Sequence, residues 1–274
     1  MLSNTLKFKE GYCIGSDPVI SELMKSFQIQ RPITRSISPK WDLAYVLTYL
    51  SKEPFEPLPS VSLMFLSMKT AFLLSMASAK RVSEVHAFSM DKQHLRFSSI
   101  DGSLTIRTQV GFLAKNQLPS KAPDSITIPC LYNGNRKTGF NKVLCPVRAV
   151  KIYLKRTKAI RGSRNRLFIP TKGNHDIKKS TISNWVKYTI KMAYQNITKR
   201  QLSFLKIRSH ELRAFSASWA YFNSIPLNEI LDAAVWSSSS TFAQFYLRDF
   251  RQQASNLSNL GPVVVAQKVV GGRF

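Results

Sequence analysis

A histidine and an arginine stand three residues apart in segment 209–222, whose pattern predicts a helix: they are His210 and Arg213. Residues at this spacing share one face of a helix. An imidazole moves protons near neutral pH, and a guanidinium binds phosphate oxygens through paired hydrogen bonds. The pair therefore suits chemistry on a phosphate ester, although the same spacing often arises by chance between residues that have no catalytic role.

An arginine and a glutamate lie upstream of this pair. Arg81 directly follows the apolar stretch 60–79, and Glu84 stands one helical turn later. The stretch is long enough to span a bilayer, but Lys69 lies at its centre and several serines dilute it. The pattern favours a buried core helix over a membrane span, and no membrane partner is expected.

A tryptophan and a tyrosine lie downstream. Segments 227–235 and 241–250 predict two helices around a serine-rich turn, with Trp236 before the turn and Tyr246 on the second helix. A tyrosine hydroxyl is a known protein nucleophile, and an indole N–H is a hydrogen-bond donor. Each residue alone is more often a packing residue, so the prediction of a site depends on the joint pattern.

The order and spacing of these residues resemble the catalytic boxes of the tyrosine recombinase and phage integrase family. The similar positions are Arg81 in AKRVSEVHAFS, His210 and Arg213 in HELRAFSASWA, and Trp236 and Tyr246 in WSSSSTFAQFY. The resemblance covers about residues 60–250. The segment WSSSSTFAQFYLRD most resembles recombinases of eukaryotic DIRS-type retroelements. This resemblance implies that the protein is located in the nucleus.

The family also has a lysine in a β-hairpin between its two boxes. Segment 111–129 occupies that place, and Lys115 follows its first strand directly. Lys121 is the alternative in the same segment.

Two positions depart from the family pattern. Val235 stands where members usually have glycine, and a β-branched residue disfavours the positive φ that glycine permits. Trp236 and Tyr246 are ten residues apart, where many members have nine. Neither departure removes a catalytic group.

The resemblance implies a role for each residue in phosphodiester attack. Arg81 and Arg213 would clamp the non-bridging oxygens, where negative charge builds up. The indole of Trp236 would donate to the same phosphate, and Glu84 would orient Arg81.

The resemblance also implies how protons move. Tyr246 would attack and form a 3′-phosphotyrosine. Because a phenol is protonated at neutral pH, His210 would accept its proton, and Lys115 would protonate the departing 5′ oxygen. Neither a metal nor a cofactor is implied: the four histidines are scattered, and the sequence contains no P-loop pattern.

The charge of the chain indicates a polyanionic partner. Forty Lys and Arg against fifteen Asp and Glu give a formal net charge of +25. Segment 125–210 holds twenty of these cations and a single acid, Asp176, so it cannot be a surface of mixed ion pairs. The charge favours a nucleic acid, and the resemblance implies that this partner is double-stranded DNA. An RNA-binding protein is disfavoured because no RNP-type aromatic motif is present. The dense run 151–166 could also act as a nuclear import signal.

The predicted fold is α+β and mainly α: a tyrosine-recombinase-like catalytic fold with a small antiparallel sheet. The expected elements are helices at 18–29, 41–50, 60–79, 81–87, 145–160, 180–195, 209–222, 227–235 and 241–250, and strands at 94–99, 103–110, 124–129 and 166–170. The expected domain organisation is a partial N-terminal segment and linker (1–55), a catalytic domain (56–260) and a tail (261–274).

The resemblance implies a homotetramer on paired DNA sites. The apolar tail 262–270 could pass to a neighbouring subunit or pack on its own. Two function classes remain open: an active DNA strand transferase, and a DNA-binding protein that keeps the fold without recombining. The short N-terminal segment is too small for a whole DNA-clamping domain, which keeps the second class open.

Overall fold

The computed structural model describes residues 17–31, 41–114, 125–132, 139–196, 207–234, 236 and 238–249. Its helices are α1 (Pro18–Gln30), α2 (Leu43–Leu50), α3 (Leu63–Ser78), α4 (Val82–Ala87), α5 (Gly139–Val143), α6 (Pro146–Thr157), α7 (Lys179–Ala193), α8 (Glu211–Phe222), α9 (Leu227–Ala234) and α10 (Ser239–Thr241). A π-helical turn, Phe242–Tyr246, follows α10. The strands are β1 (Leu95–Phe97), β2 (Leu104–Ile106) and β3 (Ile126–Ile128).

The chain divides into two units, Met1–Ile37 and Ser38–Phe274. In the first unit, α1 is a helix without buried residues, capped by the carboxylate of Asp17. The second unit begins earlier than residue 56, where we expected the catalytic domain to start. Five residues of α2 are buried in its core, because the helix is apolar on most sides.

Helix α3 is the centre of the core. Thirteen of its sixteen residues are buried, and it packs against α6, α7 and α8. This burial agrees with the core helix predicted from the stretch 60–79, because a helix that is apolar all round must be enclosed. Among the residues that the structure describes, no helix is long and apolar enough to cross a membrane.

The three strands form one antiparallel sheet in the order β1-β2-β3. Thr105 lies opposite Arg96 on one side and Thr127 on the other. This sheet confirms the predicted α+β fold. The strand predicted at 166–170 is wrong: Arg166 forms only an isolated bridge with Ser89.

The helix predicted over 241–250 is also wrong in its extent. The helical backbone ends at Tyr246, and Leu247 is already extended. The amide N–H of Leu247 donates to the carbonyl of Phe242 at 2.9 Å, a bond that closes the π-helical turn.

An ion cluster around the buried Lys69 joins the start of the second unit to its core. The Lys69 ammonium lies 2.5 Å from Glu56 and donates to the carbonyl of Leu50 at 2.7 Å. Arg148 binds both oxygens of Glu56, at 2.9 and 3.1 Å. We call Glu56, Lys69 and Arg148 the Glu56 cluster. Lys69 is thus a structural residue, and its presence within the apolar stretch is explained.

Candidate active site

A short reversal of the chain places the first arginine. Helix α3 ends at Ser78, and the next residue, Ala79, has a positive φ of 49°, a conformation that non-glycine residues rarely adopt. Helix α4 begins at Val82, directly after its N-cap Arg81. The Glu84 carboxylate accepts a hydrogen bond from the Arg81 amide at 3.0 Å, which holds the reversed segment in place. Arg81 then lines a pocket of about 470 Å³.

Helix α8 places the histidine and the second arginine on the same pocket. His210 is its N-cap, and both His210 and Arg213 line the cavity. Arg213 is only 2% exposed, and its guanidinium donates to the carbonyl of Ala234 at the end of α9. The hydroxyl of Ser216 donates to the carbonyl of Met76 at 2.6 Å, which fixes α8 against α3.

The tryptophan and the tyrosine meet at the guanidinium of Arg213. The rings of Trp236 and Tyr246 lie 4.2 Å apart between centroids. The guanidinium carbon of Arg213 lies 4.7 Å from the Trp236 ring and 5.4 Å from the Tyr246 ring. Tyr246 also lines the pocket. The structure therefore brings together five of the predicted residues, Arg81, His210, Arg213, Trp236 and Tyr246.

The π-helical turn offers a physical reason for the unusual spacing of Trp236 and Tyr246. A π-helical turn closes through an i→i+5 bond and so contains one residue more than an α-helical turn. The turn Phe242–Tyr246 therefore takes up the tenth residue of the spacing. The hydroxyl of Ser218 on α8 donates to the carbonyl of Tyr246 at 2.9 Å and accepts from the Arg248 amide at 2.8 Å. Ser218 thus fixes the end of the turn, a role that the sequence did not reveal.

Glu84 is surrounded by three cations. Its carboxylate lies 3.5 Å from Arg213, 3.7 Å from Arg81 and 3.7 Å from Lys80. We call Glu84, Lys80, Arg81 and Arg213 the Glu84 cluster. One negative charge faces three positive charges, so the cluster has an excess of positive charge directly beside the pocket.

Several donors at this pocket have no hydrogen-bond partner among the residues that the structure describes. They are Nη1 of Arg81, Nε and Nη1 of Arg213, Oγ of Ser75 and, beside Arg213, Nε1 of Trp236. A buried donor without a partner costs free energy, and such groups are uncommon in folded proteins. Their concentration in one place, together with the positive charge, gives the pocket the chemistry that an anion requires.

Burial and charge alter two pKa values here. Burial, reinforced by Arg81, lowers the pKa of Arg213 to about 10, although Glu84 and Tyr246 oppose the change. Arg213 still carries its charge at neutral pH. Partial burial and then the charges of Arg208, Arg248 and Lys187 lower the pKa of His210. His210 is therefore neutral at physiological pH and free to accept a proton.

The pocket contains residues that the sequence did not single out. They are Ser75, Lys80, Val82, Ser83, Lys179, Ser180, Ser183, Ser209 and Leu212. Lys80 could have been noticed because it precedes Arg81 directly, whereas the serines carry no signal in sequence. Lys115, its alternative Lys121, Val235 and the tail 261–274 lie outside the described residues. Within the described part of the chain, no group of His, Cys, Asp and Glu is arranged to hold a metal ion.

Solved structures of recombinases are similar to this chain. A XerH site-specific recombinase bound to palindromic difH substrate, in a post-cleavage complex, aligns with a TM-score of 0.50 at 13% identity, over 81% of this chain and 54% of that chain. XerA recombinase aligns with a TM-score of 0.48 at 16% identity, over 94% and 79%. A lambda integrase dimer bound to a COC′ core site aligns with a TM-score of 0.42 at 16% identity, over 80% and 50%.

The likeness to the XerH complex shows that the chain has the tyrosine-recombinase-like fold predicted from its sequence. The chain spans about half the length of the XerH chains that it matches. The sequence matches no protein-family model, and it matches no curated protein.

Proposed function

We propose that this chain is a tyrosine recombinase that cuts and rejoins DNA strands through a 3′-phosphotyrosine intermediate. The observation that carries the proposal is the cluster of unpartnered donors on Arg81 and Arg213, with the ring of Tyr246 stacked on the same guanidinium. A phosphodiester supplies the acceptors that these donors lack. The nucleophile then lies directly beside the bound phosphate.

The strand transfer conserves bonds and protons. The phenolic oxygen of Tyr246 forms a bond to phosphorus, and the bond from phosphorus to the 5′ oxygen breaks. His210 takes the phenolic proton, and the 5′ oxygen leaves as a hydroxyl after receiving a proton. Lys115 is the proposed donor of that proton. Attack by the 5′ hydroxyl of a partner strand reverses the step, so no external energy source is needed.

Trp236 and Glu84 complete the proposed site without reacting. The indole N–H of Trp236, 8% exposed and without a partner in the described structure, donates to a phosphate oxygen. Glu84 holds both arginines in place and limits their mutual repulsion. We further propose that double-stranded DNA is the partner, that the protein acts as a homotetramer on paired sites in the nucleus, and that it is related to DIRS-type recombinases.

A DNA-binding protein that has kept the fold without the reaction is the second candidate. Covalent trapping distinguishes the two. The protein is incubated with duplexes that carry randomised arms and a nick, so that the short fragment released by cleavage diffuses away. Denaturing gels then detect any protein joined to DNA.

The wild-type chain should form the covalent adduct, and Tyr246→Phe should not, although it keeps the ring and its packing. Tyr221→Phe is the matched control, since Tyr221 is an exposed tyrosine that contacts Phe242 in the same π-helical turn. It should form the adduct. Binding without any adduct in the wild type would favour the second candidate, and an adduct in Tyr246→Phe would show that the nucleophile is another residue.

A further inference from the structure

The start of α7 forms part of the wall of the pocket. Lys179, Ser180 and Ser183 all line the cavity. The N-cap of this 15-residue helix is Lys178, whose side chain accepts no bond from the first turn. N-caps are usually Ser, Thr, Asp or Asn, because their side-chain oxygen accepts from an amide of that turn. The amide of Thr181 donates to the backbone carbonyl of Lys178 at 2.9 Å, but the first turn of α7 has no side-chain acceptor from its N-cap.

The charges at this end of α7 also run against the usual preference. Lys178 and Lys179 stand at the N-terminus, where the helix dipole is positive, and the first turn contains no acidic residue. Cations are unfavourable at that end of a helix. A sequence that breaks local rules beside a pocket points to a function there, and an anion would offset both lysines.

An independent observation on another helix points to the same ligand. Ser75 belongs to α3, is 4% exposed and lines the same pocket. Its hydroxyl has no hydrogen-bond partner in the described part of the chain. Serines within helices can bond to a carbonyl of the preceding turn, but the hydroxyl of Ser75 does not, and it is therefore available to a ligand in the cavity.

The pocket has room for more than one phosphate. Its volume of about 470 Å³ equals that of about fifteen water molecules. A single phosphate at the arginines fills only part of it. We propose that Ser75 and the N-terminus of α7 bind a second phosphate of the same DNA strand, adjacent to the phosphate held by Arg81 and Arg213.

This inference rests on the proposed function and deepens it, because a second contact on one strand fixes the direction in which the strand crosses the site. Two phosphates on one sugar mimic neighbouring phosphates of a DNA strand. The probes are therefore thymidine 3′,5′-bisphosphate and thymidine 3′-monophosphate. Isothermal titration calorimetry at low salt gives the Kd of each nucleotide. The ratio of the two Kd values measures how much the second phosphate contributes to binding.

The wild-type chain should bind the bisphosphate about tenfold more tightly or better, as expected for charge-assisted hydrogen bonds. Ser180→Asp should reduce that ratio to about one. Aspartate favours a helix N-terminus, so α7 stays folded while the carboxylate repels the phosphate. Asn184→Asp is the matched control: it makes the same charge change at an exposed position of α7 that does not line the pocket, and the ratio should persist.

Ser75→Ala provides a second variant that changes no charge, and it should also lower the ratio. A ratio near one in the wild type, or a ratio unchanged in both Ser180→Asp and Ser75→Ala, would overturn the second phosphate site. If the monophosphate still binds and Arg213→Ala abolishes that binding, the phosphate site at the arginines is supported although the second phosphate site is not. If neither nucleotide binds the wild type, the proposed function fails at the arginines, and this inference fails with it.

Discussion

Two glutamates of this chain, the partly buried Glu56 and the buried Glu84, contact their neighbouring cations in different ways. In the Glu56 cluster, the carboxylate contacts Lys69 and Arg148 at 2.5 to 3.1 Å, and the Leu58 amide donates to it at 3.0 Å. In the Glu84 cluster, the three cations lie at 3.5 to 3.7 Å. The first cluster is closed by its own contacts, whereas Arg81 and Arg213 of the second have N–H donors with no hydrogen-bond partner in the described part of the chain.

The difference separates a structural ion cluster from a binding site. Buried charges are tolerated when hydrogen bonds satisfy them, as they do around Glu56. Around Glu84, an external anion would offset the excess of positive charge and accept hydrogen bonds from the donors that have no such partner in the described structure. Residue types alone do not distinguish the two clusters, because each combines a glutamate with lysine and arginine.

The largest expected effect comes from removing one arginine of each cluster. Arg213→Ala should slow formation of the covalent adduct by about 10²–10³-fold, the usual effect of losing one donor to developing charge. Arg148→Ala should lower stability but leave the rate per folded molecule unchanged, because its guanidinium is bound to Glu56. Single-turnover cleavage of a trapped substrate measures both. Equal losses of rate would contradict the distinction between the clusters.

Replacing the glutamate of each cluster compares the two clusters by their effect on the free energy of unfolding. Glu56→Gln should lower the free energy of unfolding by ~3–5 kcal/mol, because it leaves buried cations unpaired. Glu84→Gln should also destabilise the fold, but sulfate should restore much of that loss, since the freed cations face an open pocket. Urea unfolding with and without sulfate checks this. A similar rescue of Glu56→Gln would show that the ion acts nonspecifically.

Binding of DNA should depend steeply on salt, because phosphates release counterions from the basic surface. Arg213→Ala should reduce the slope of log K against log salt by about one. Arg148→Ala should leave the slope unchanged. Fluorescence anisotropy over a series of salt concentrations gives all three slopes, and a flat dependence in the wild type would count against phosphate contacts.

The smallest effect concerns protonation. In the free protein, NMR should find His210 titrating below the ordinary value of about 6.5, so it is neutral at pH 7. Inorganic phosphate should raise its pKa by supplying a nearby negative charge. Lys69, whose pKa is lowered to about 8, mainly by burial, should not respond because its cluster is closed. A phosphate response at Lys69 alone would place the anion at the wrong cluster.

The sequence predicted which residues lie together at the pocket better than it predicted the structure around them. His210 and Arg213 could be placed on one face because helix periodicity is local, and Arg81 could be placed because a fully apolar helix precedes it. The end of the last helix was missed, since a π-helical turn depends on contacts such as that of Ser218 with Tyr246. The serines of the pocket were missed because no periodicity marks a residue that reaches a cavity only through tertiary packing.

The boundary of the larger unit was set by packing that composition does not show. The proline-rich segment 54–59 looked like the start of a domain, but Glu56 lies within it and binds Lys69 and Arg148. The contacts tie this segment to α3 and α6 over long distances in sequence.

The most direct test of the central claim is to identify the residue that becomes attached to DNA. Adduct trapped on nicked duplexes is digested with protease and nuclease, and the peptides that carry a residual nucleotide are sequenced by mass spectrometry. The account predicts one modified peptide, with the nucleotide phosphate esterified to the phenolic oxygen of Tyr246. A nucleotide found on any other side chain, or no modified peptide from a chain that binds the same DNA, would contradict it.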